Sequence, residues 1–510
     1  MTTADKLRPA DDKLDAAVLK VAGVVVLGAV MAILDTTVVN VALQALTVEF
    51  QTSFDTIQWI VTGYMLALAT VIPVTGWAAD RFGTKRLYML AIGLFLIGSM
   101  LAGMAWNIET LIIFRVLQGF GGGMLMPAGM TIMTRAAGPQ RVGRVMAVLG
   151  VPMLLGPIGG PILGGYLVDA VSWRWIFYIN VPIGLIALLL AWRVLPKDES
   201  RPTDKFDFAG MLMLSPGLAL LIFGVSKIPH EGGVGSVGVW LPGLAGLALI
   251  VVFVLRALRV PNPLVDLKLF RDRTFTIAMV TMTLFMLAFF GAMLVVPTYF
   301  SLVRGESALQ AGLLLAPQGL GAMLTMPLGG KLADKIGPGK VVLPGMVLIV
   351  AGLAVFTQVS GITSYLLLLG GLFVMGLGMG ATMMPISAAA LQTLTQRSVA
   401  RASTAMNIVQ QTAGAIGSAI MSVIVAGQLA GKFGVSTSEG QLAATVAVLN
   451  PATHDNAAAM AGEAFATTFL WALVLVALCF IPALFLPRRP PVLAGEPESD
   501  GTAAVQVPMH

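Results

Sequence analysis

The sequence is poor in charge, in cysteine and in histidine. Only 11% of its 510 residues are charged, whereas charged residues make up about a quarter of an average globular chain. The single cysteine, Cys479, excludes a disulfide framework and a thiolate metal cluster. The three histidines, His230, His454 and His510, are too scattered along the chain for a metal site. We therefore predict no metal and no other cofactor.

Apolar residues, by contrast, make up 57% of the chain, and its mean hydropathy is +0.89. No aqueous core is large enough to hold that much apolar surface, so the expected solvent is a lipid bilayer. The net charge of +6 is not concentrated in a basic run or in a patch that mixes basic and aromatic residues. This pattern argues against a nucleic-acid partner.

Apolar windows long enough to cross a bilayer, roughly 20 residues each, recur along almost the whole chain. Ten windows carry no charge, and two more carry one charge each: 21–48 contains Asp35, and 110–134 contains Arg115. The charge-free stretch 341–396 is too long for one helix and contains a turn-forming cluster at 360–364, which divides it into two. The sequence therefore predicts an all-α polytopic membrane protein with 14 transmembrane helices.

Lysine and arginine alternate between the loops as the positive-inside rule requires. The loops on the side of the termini hold 26 of the 31 basic residues, and Arg115 lies within a span. This distribution predicts a multi-pass protein of the inner (cytoplasmic) membrane with both termini cytoplasmic. The predicted units are a cytoplasmic tail at 1–18, a six-helix half at 19–200, two extra helices at 201–260, a six-helix half at 261–487 with an external loop at about 428–463, and a disordered cytoplasmic tail at 488–510.

Two short segments of the sequence occur twice. Residues 76–86 recur as 330–340 at an offset of 254, and 119–127 resemble 376–385 at nearly the same offset. Transporter folds are commonly built from such repeats, and the offset fits two six-helix halves separated by the two extra helices. A glycine for a tight reversal, an aspartate at a helix end and adjacent cations suggest a gating loop. The candidate gating residues are Gly76, Asp80, Arg81, Gly83, Arg86, Asp334 and Gly337.

The loop at 76–86 resembles motif A of the major facilitator superfamily. Segments 34–43, 115–119, 150–165 and 172–182 are similar to further motifs of its fourteen-helix drug:proton antiporters. The resemblance implies the major facilitator fold, with two inserted helices between its six-helix halves. In that family the glycine- and proline-rich segment 150–165 marks exporters. The residues that carry this antiporter motif here are Gly150, Gly156, Pro157, Gly160, Pro161 and Gly164.

Asp35 is the one carboxylate of the sequence that lies well inside a predicted span. An ionisable group at such a place costs at least ~2.5 kcal/mol on insertion scales and is a functional candidate by default. Counted at 1.5 Å per residue, Arg115 lies at a similar depth in span four and is the expected partner of Asp35. We predict proton coupling at Asp35 and Arg115; a purely structural ion pair is the alternative.

Polar and aromatic side chains within the spans are candidates for a substrate cavity. Aromatic faces hold lipophilic cations, and methionines adapt to ligands of varied shape. The candidates are Gln58, Trp59, Tyr64, Phe285, Phe289, Phe290, Gln318, Asn407, Gln410 and Gln411.

Together these features predict a proton-coupled antiporter that exports amphipathic, cationic drugs or other toxic compounds by alternating access. Its expected partners are protons, a small-molecule substrate and the bilayer, and the expected state is a monomer. Export of an endogenous lipid, siderophore or metabolite is the alternative on the same fold. A non-transport receptor is less well supported, and the absence of a nucleotide-binding loop or a Ser-His-Asp set argues against an enzyme.

Overall fold

The computed structural model describes residues 15–52, 54–138, 141–198, 206–228, 235–392, 394, 398–437, 440–450 and 454–489. Within these ranges the regular structure is helical throughout, and no strand occurs. The helices are α1 (Ala16–Glu49), α2 (Phe54–Ile57), α3 (Trp59–Phe82), α4 (Thr84–Gly103), α5 (Ile108–Ala137), α6 (Val142–Ala170), α7 (Trp175–Tyr178), α8 (Asn180–Val194), α9 (Phe208–Lys227), α10 (Val237–Ala257), α11 (Arg273–Val303), α12 (Ala308–Leu314), α13 (Ala316–Ile336), α14 (Pro338–Phe356), α15 (Tyr365–Gln392), α16 (Val399–Phe433), α17 (Gly440–Leu449) and α18 (His454–Ala483), with a short 3-10 helix at Leu267–Arg271.

Thirteen helices of the described part are long and apolar enough to cross a membrane. Helix α6, with 29 residues, stands at the place of the remaining predicted span. The prediction of an all-α polytopic membrane protein is confirmed. Three spans begin with a short helix, α2, α7 or α12, which a single residue separates from the long helix that follows: Gln58, Ile179 or Leu315.

The long apolar stretch 341–396 contains two helices, as predicted, since α14 ends at Phe356 and α15 begins at Tyr365. Other boundaries differ from the expectation. Helix α1 begins at Ala16, inside the range predicted as a tail, and the remaining tail residues 1–14 and 490–510 lie outside the described residues. The predicted external loop at about 428–463 is largely helical, since α16 extends into it, α17 lies within it and α18 begins in it.

The helix contacts follow the same plan twice. In the first half α1 packs against α6 and α8, α3 against α5, and α4 against α5 and α8. In the second half α11 packs against α16 and α18, α13 against α15, and α14 against α15 and α18. The two halves meet where α6 contacts α13 and α15, and where α16 contacts α3 and α5. The repeat in the sequence thus corresponds to a repeat in packing.

The inserted hairpin α9–α10 lies beside one of these two junctions. Helix α9 contacts both α3 and α16, whereas α10 packs against α9. Two aromatic pairs fix α9 to α3: Trp59 lies 5.6 Å from Phe223 at one end, and Trp77 lies 4.5 Å from Phe206 at the other, measured between ring centroids. The hairpin is therefore attached to the first half along the whole length of α3.

At the base of the hairpin Asp207 joins its two helices. The carboxylate accepts a hydrogen bond from the Gly210 N–H, which caps α9, and one from the Leu264 N–H. It also forms a 2.8 Å ion pair with Arg256 near the end of α10. Burial on its own raises the pKa of Asp207, but these hydrogen bonds and the Arg256 charge outweigh it and hold the pKa below its usual value.

Candidate functional site

Asp35 and Arg115 form a buried ion pair inside the first half. Arg115 Nη1 lies 2.6 Å from Asp35 Oδ2, and each residue is 1% exposed. Asp35 stands in the middle of α1 and Arg115 in the second turn of α5, so neighbouring helices bring them together. The structure thus places the two predicted coupling residues in direct contact.

Two buried amides complete the surroundings of the carboxylate. Gln118 Nε2 donates to Asp35 Oδ1 at 2.8 Å, and Asn180 Nδ2 donates to the same oxygen at 3.0 Å. Gln118 is one turn along α5 from Arg115 and also accepts a hydrogen bond from Arg115 at 2.7 Å. Asn180 is the first residue of α8 and donates to Ser99 Oγ of α4 at 3.1 Å. Our sequence reasoning singled out none of Gln118, Asn180 and Ser99.

Aromatic rings enclose the arginine. The guanidinium carbon of Arg115 lies 4.3 Å from the centroid of the Tyr64 ring and 5.7 Å from that of Phe177. Arg115 Nε also donates to the Ile60 carbonyl of α3 at 3.3 Å. Contacts with aromatic faces stabilise a guanidinium that is shielded from water. Tyr64, a predicted cavity residue, is 1% exposed and packs against this charge site.

The Asp35 carboxylate accepts hydrogen bonds from Arg115, Gln118 and Asn180. An ionised carboxylate accepts at both oxygens, whereas a protonated one must also donate. The arrangement therefore suits the ionised form, and uptake of a proton requires a rearrangement of the hydrogen bonds. Chemically the site can hold a proton in competition with the arginine.

Glycines let α1 and α6 approach closely beside this site. A Cβ at Gly156 would overlap Ile33, one at Gly160 would overlap Thr37, and one at Gly164 would lie 3.2 Å from Val38. These glycines recur every four residues and so line one face of α6. The side chains of Pro157 and Pro161, the other predicted members of the motif, lie outside the described part of the structure.

Gly150 of the same motif faces the other half. A Cβ at this position would overlap Met326 of α13, and Met384 of α15 is also in contact. Helix α6 thus packs on α1 along one stretch and on the second half along another.

The two repeated loops have the same backbone conformation. Gly83 separates α3 from α4 with φ +92°, and Gly337 separates α13 from α14 with φ +93°. Positive φ at this point favours glycine, because other residues carry a Cβ that clashes there. We call the end of the helix bundle that carries Gly83 and Gly337 the loop end.

At the loop end each aspartate of the repeat is bound from both halves. Asp80 pairs with Arg135 of its own half at 3.0 Å and lies 4.0 Å from Arg401 of the other half. The contacts of the second aspartate follow the same scheme, with Gln392 at the place of Arg135 and Arg144 at the place of Arg401.

Asp334 accepts a 3.1 Å hydrogen bond from Gln392 of its own half. Across the junction it lies 3.8 Å from Arg144 Nε and accepts a 3.3 Å hydrogen bond from the Arg144 N–H. A Cβ at Gly76 would lie 2.8 Å from Thr404 Oγ1 of α16, so the halves also pack closely beside Asp80. These contacts hold the halves together at the loop end.

The predicted gating residues Arg81 and Arg86 do not join this cluster, since both side chains are exposed. Arg86 contributes its backbone instead. The Asp198 carboxylate accepts hydrogen bonds from the backbone N–H groups of Lys85 and Arg86 at 2.9 Å each, and so caps the start of α4. Asp198 therefore positions the loop, a role that the sequence did not indicate.

The predicted cavity residues fall into separate groups. Phe285, Phe289 and Phe290 form an aromatic row on α11, with ring centroids 6.0 Å and 5.2 Å apart in succession. Gln410 of α16 contacts Met282, which lies on α11 with the aromatic row. Phe285 and Phe289 are buried, so these residues form a contiguous aromatic cluster, with Met282 beside it, in the core of the second half.

The remaining candidates lie elsewhere. Asn407 contacts Met130 of α5 across the junction at 3.2 Å, and Gln318 contacts Met379 at 3.1 Å. Gln58 lies at the interruption between α2 and α3, and Gln411 is exposed. Trp59 packs against Phe223 of the inserted hairpin and is 41% exposed.

Comparison with known proteins gives the chain its relatives. The family model of the Major Facilitator Superfamily matches residues 25–418. The chain is 47% identical over 496 residues to the "Multidrug resistance protein B homolog" of Mycobacterium tuberculosis, covering 94% of this chain and 92% of that protein. It is 31% identical over 398 residues to the "Multidrug export protein EmrB" of Haemophilus influenzae, covering 76% and 77% of the two chains.

Among solved structures the fold is similar to that of the human organic anion transporter MFSD10. The TM-score is 0.59 at 16% sequence identity, and the match covers 91% of this chain and all of that one. At this identity the likeness concerns the fold.

Proposed function

This chain belongs to the major facilitator superfamily, in its drug:proton antiporter family, and we propose that it exports amphipathic cations in exchange for protons. It is a transporter of the multidrug-efflux type and not an enzyme. The relatives named for multidrug resistance and multidrug export support the substrate class. The proposal that the coupling ion is a proton rests on residues of this chain.

The buried Asp35 site is the observation that carries the proposal. Among the described residues the buried charged groups are Asp35, Arg115 and Asp207, and Asp207 caps a helix at the edge of the bundle. Whereas Asp80 and Asp334 lie near the ends of their membrane-spanning helices, Asp35 lies in the middle of one. A proton there changes the charge of a site that sits in a low-dielectric environment, where the change has its greatest effect.

The loop end is the cytoplasmic end in this proposal, and the protein lies in the inner membrane with both termini cytoplasmic. The distribution of lysine and arginine supports this orientation. Because the halves are held together at the loop end, we assign this conformation to the state that exchanges protons and substrate with the outside.

Helix α6 connects the proton site to the loop end. Protonation of Asp35 neutralises its carboxylate and weakens its ion pair with Arg115, and the close glycine contacts transmit a shift of α1 to α6. The loop end of α6 carries Arg144, which contacts Asp334 of the other half. A proton and a substrate then shift the same two-state equilibrium in opposite directions, as antiport requires.

The substrate contacts the aromatic row on α11 in this proposal. Phenylalanine faces attract lipophilic cations, and Met282 beside Gln410 supplies an adaptable, weakly polar surface. A site of this kind has few directional contacts and accepts varied shapes.

Transport by purified protein in proteoliposomes tests the proposal. A pH gradient is imposed on wild type, Asp35→Asn and the control Asp207→Asn, and internal pH is followed together with accumulation of a panel of fluorescent lipophilic cations. We expect gradient-driven accumulation with proton counterflow in wild type and control, and its loss in Asp35→Asn.

Undiminished coupling in Asp35→Asn would overturn the role of Asp35. A wild type that moves protons for none of the cations would overturn the substrate class, and endogenous lipids, siderophores and metabolites would be tried next.

A further inference from the structure

Asn180 has an unusual hydrogen-bond pattern for a fully buried amide. Its Nδ2 donates to Asp35 Oδ1 at 3.0 Å and to Ser99 Oγ at 3.1 Å. Its Oδ1 is buried and has no hydrogen-bond partner in the part of the chain that the structure describes. Buried polar atoms are nearly always paired, so this free acceptor beside an ionisable group calls for an explanation.

The three partners of Asp35 differ in what they can do when the carboxylate takes up a proton. Arg115 carries donors only. Gln118 has an acceptor, but its Oε1 already accepts from Arg115 at 2.7 Å. Among these three, Asn180 is the partner whose acceptor is not engaged.

We propose that Asn180 is a positioning residue whose amide turns over when Asp35 is protonated. With Asp35 ionised, Nδ2 donates to Oδ1 of the carboxylate, as observed. With a proton bound at that oxygen, the turned amide presents Asn180 Oδ1, which accepts the new Asp35 O–H. This inference rests on the proposed function, since it takes Asp35 to be the proton site.

Ser99 carries the change further. Its hydroxyl accepts from Asn180 and donates to the Phe177 carbonyl at 2.9 Å. A hydroxyl can both donate and accept, so Ser99 can turn its proton from Phe177 to the amide oxygen of the turned Asn180. The Phe177 carbonyl lies in α7, two residues before Ile179 interrupts the helix. Protonation of Asp35 would thus alter the hydrogen bond from the Ser99 hydroxyl to a backbone carbonyl near the α7–α8 junction.

The charged and titratable groups around Asp35 stay unchanged when Asn180 is replaced by leucine. Arg115 faces Asp35 from α5, and Tyr64 lies beside both from α3. Gln118, Ser99 and Asn180 are neutral at all working pH values. An effect of Asn180→Leu on pH dependence therefore reports the hydrogen bonds of Asn180 and not a lost charge.

The test uses full-length protein in proteoliposomes, with Asn180→Leu, Asn180→Asp, Ser99→Ala and Asp35→Asn. Substrate-dependent proton release is measured against pH with a fluorescent lipophilic cation. Asn180→Leu removes a donor from the ionised carboxylate and an acceptor from the protonated one. Because hydrogen bonds to the ionised form are the stronger ones, we expect its half-maximal pH to rise, by up to about one unit. Asn180→Asp, which keeps the shape of the side chain, should raise it further, since two carboxyl groups then share one proton. Ser99→Ala should move it by less.

Infrared difference spectroscopy checks the hydrogen bond itself. The carbonyl stretching band of protonated Asp35 is identified by its absence in Asp35→Asn. We expect this band to move to higher frequency in Asn180→Leu, because the acid O–H loses its acceptor, and to change little in Ser99→Ala.

A pH profile and a carboxyl band that coincide with wild type in either Asn180 variant would overturn the inference while leaving the proposed function intact. Proton coupling that survives Asp35→Asn would overturn both.

Discussion

Arg144 and Arg401 occupy equivalent positions in the two halves, 257 residues apart, and each contacts an aspartate of the opposite half. Arg144 Nε lies 3.8 Å from Asp334, and Arg401 Nε lies 4.0 Å from Asp80. The same offset relates Arg135 to Gln392, which bind Asp80 and Asp334 from within their own halves. The loop end is thus closed by two equivalent latches, one around Asp80 and one around Asp334.

Weakening the latch around Asp80 should open the loop end. The reporter is a cysteine placed at the buried Met384 in a Cys479→Ser background. Arg401→Ala should raise the rate at which this cysteine is alkylated by about two- to fivefold, as the loss of a partly exposed ion pair implies. The rate of labelling by a membrane-impermeant reagent measures this. Arg141→Ala is the matched control, because Arg141 pairs with Asp15 of its own half. Equal rates in both variants would show that the cross-half contact does not hold the gate.

The glycines of α6 should differ in how well they tolerate an added methyl group, because some of them pack closely on α1 and others do not. A Cβ at Gly160 would overlap Thr37, whereas one at Gly165 meets nothing within 4 Å. We expect Gly160→Ala to lower the free energy of unfolding by about 1–3 kcal/mol and to reduce transport. Gly165→Ala should leave both near the wild-type value. Thermal unfolding in detergent and transport assays check this, and equal behaviour of the two variants would contradict it.

The contributions of the buried Asp35–Arg115 pair to stability and to proton coupling should be separable by mutation. Arg115→Met leaves Asp35 as an uncompensated buried charge and should cost about 3–5 kcal/mol of stability. The double variant Asp35→Asn/Arg115→Met should recover most of that stability but no proton coupling. Thermal unfolding together with proton flux in proteoliposomes measures both parts. A double variant that still couples protons to transport would make the pair purely structural.

The base of the inserted hairpin should lose stability in acid. The pKa of Asp207 is lowered in the folded protein by its hydrogen bonds and by Arg256, against the opposing effect of burial. Its contribution to stability is therefore complete above the unfolded pKa of about 4 and is lost as the pH falls through the lower folded value. Unfolding followed between neutral pH and pH 3 should show a weaker pH dependence in Asp207→Asn than in wild type. The exposed Asp15→Asn is the matched control and should follow wild type.

Much of the charge site could be predicted from the sequence because charge is rare within spans. Asp35 and Arg115 stand out against apolar surroundings, and helix geometry places them at one depth. Gln118, Asn180 and Ser99 carry no charge, and neutral polar residues are common in spans. Their convergence on one carboxylate depends on how α1, α4, α5 and α8 pack, which the windows do not show.

At the loop end the sequence contained a signal that we did not use. The repeat identifies Asp80 and Asp334, whereas Arg144 and Arg401 are two of the 26 basic residues in the loops on the side of the termini. Their common offset could have linked them to the repeat. For Trp59 the sequence contained no such signal, because only the packing of the helices shows that its ring contacts Phe223 of the inserted hairpin.

The sequence by itself determined the membrane as solvent, the helical fold, the repeat and the single intramembrane carboxylate, because hydropathy, periodicity and charge are properties of the chain read in order. Tertiary structure alone decided which groups surround Asp35, which arginine crosses to which half, and where the inserted hairpin lies. Such contacts join residues far apart in the chain, as between Asp80 and Arg401, which are 321 positions apart. They depend on the relative rotation and depth of packed helices, which no local pattern encodes.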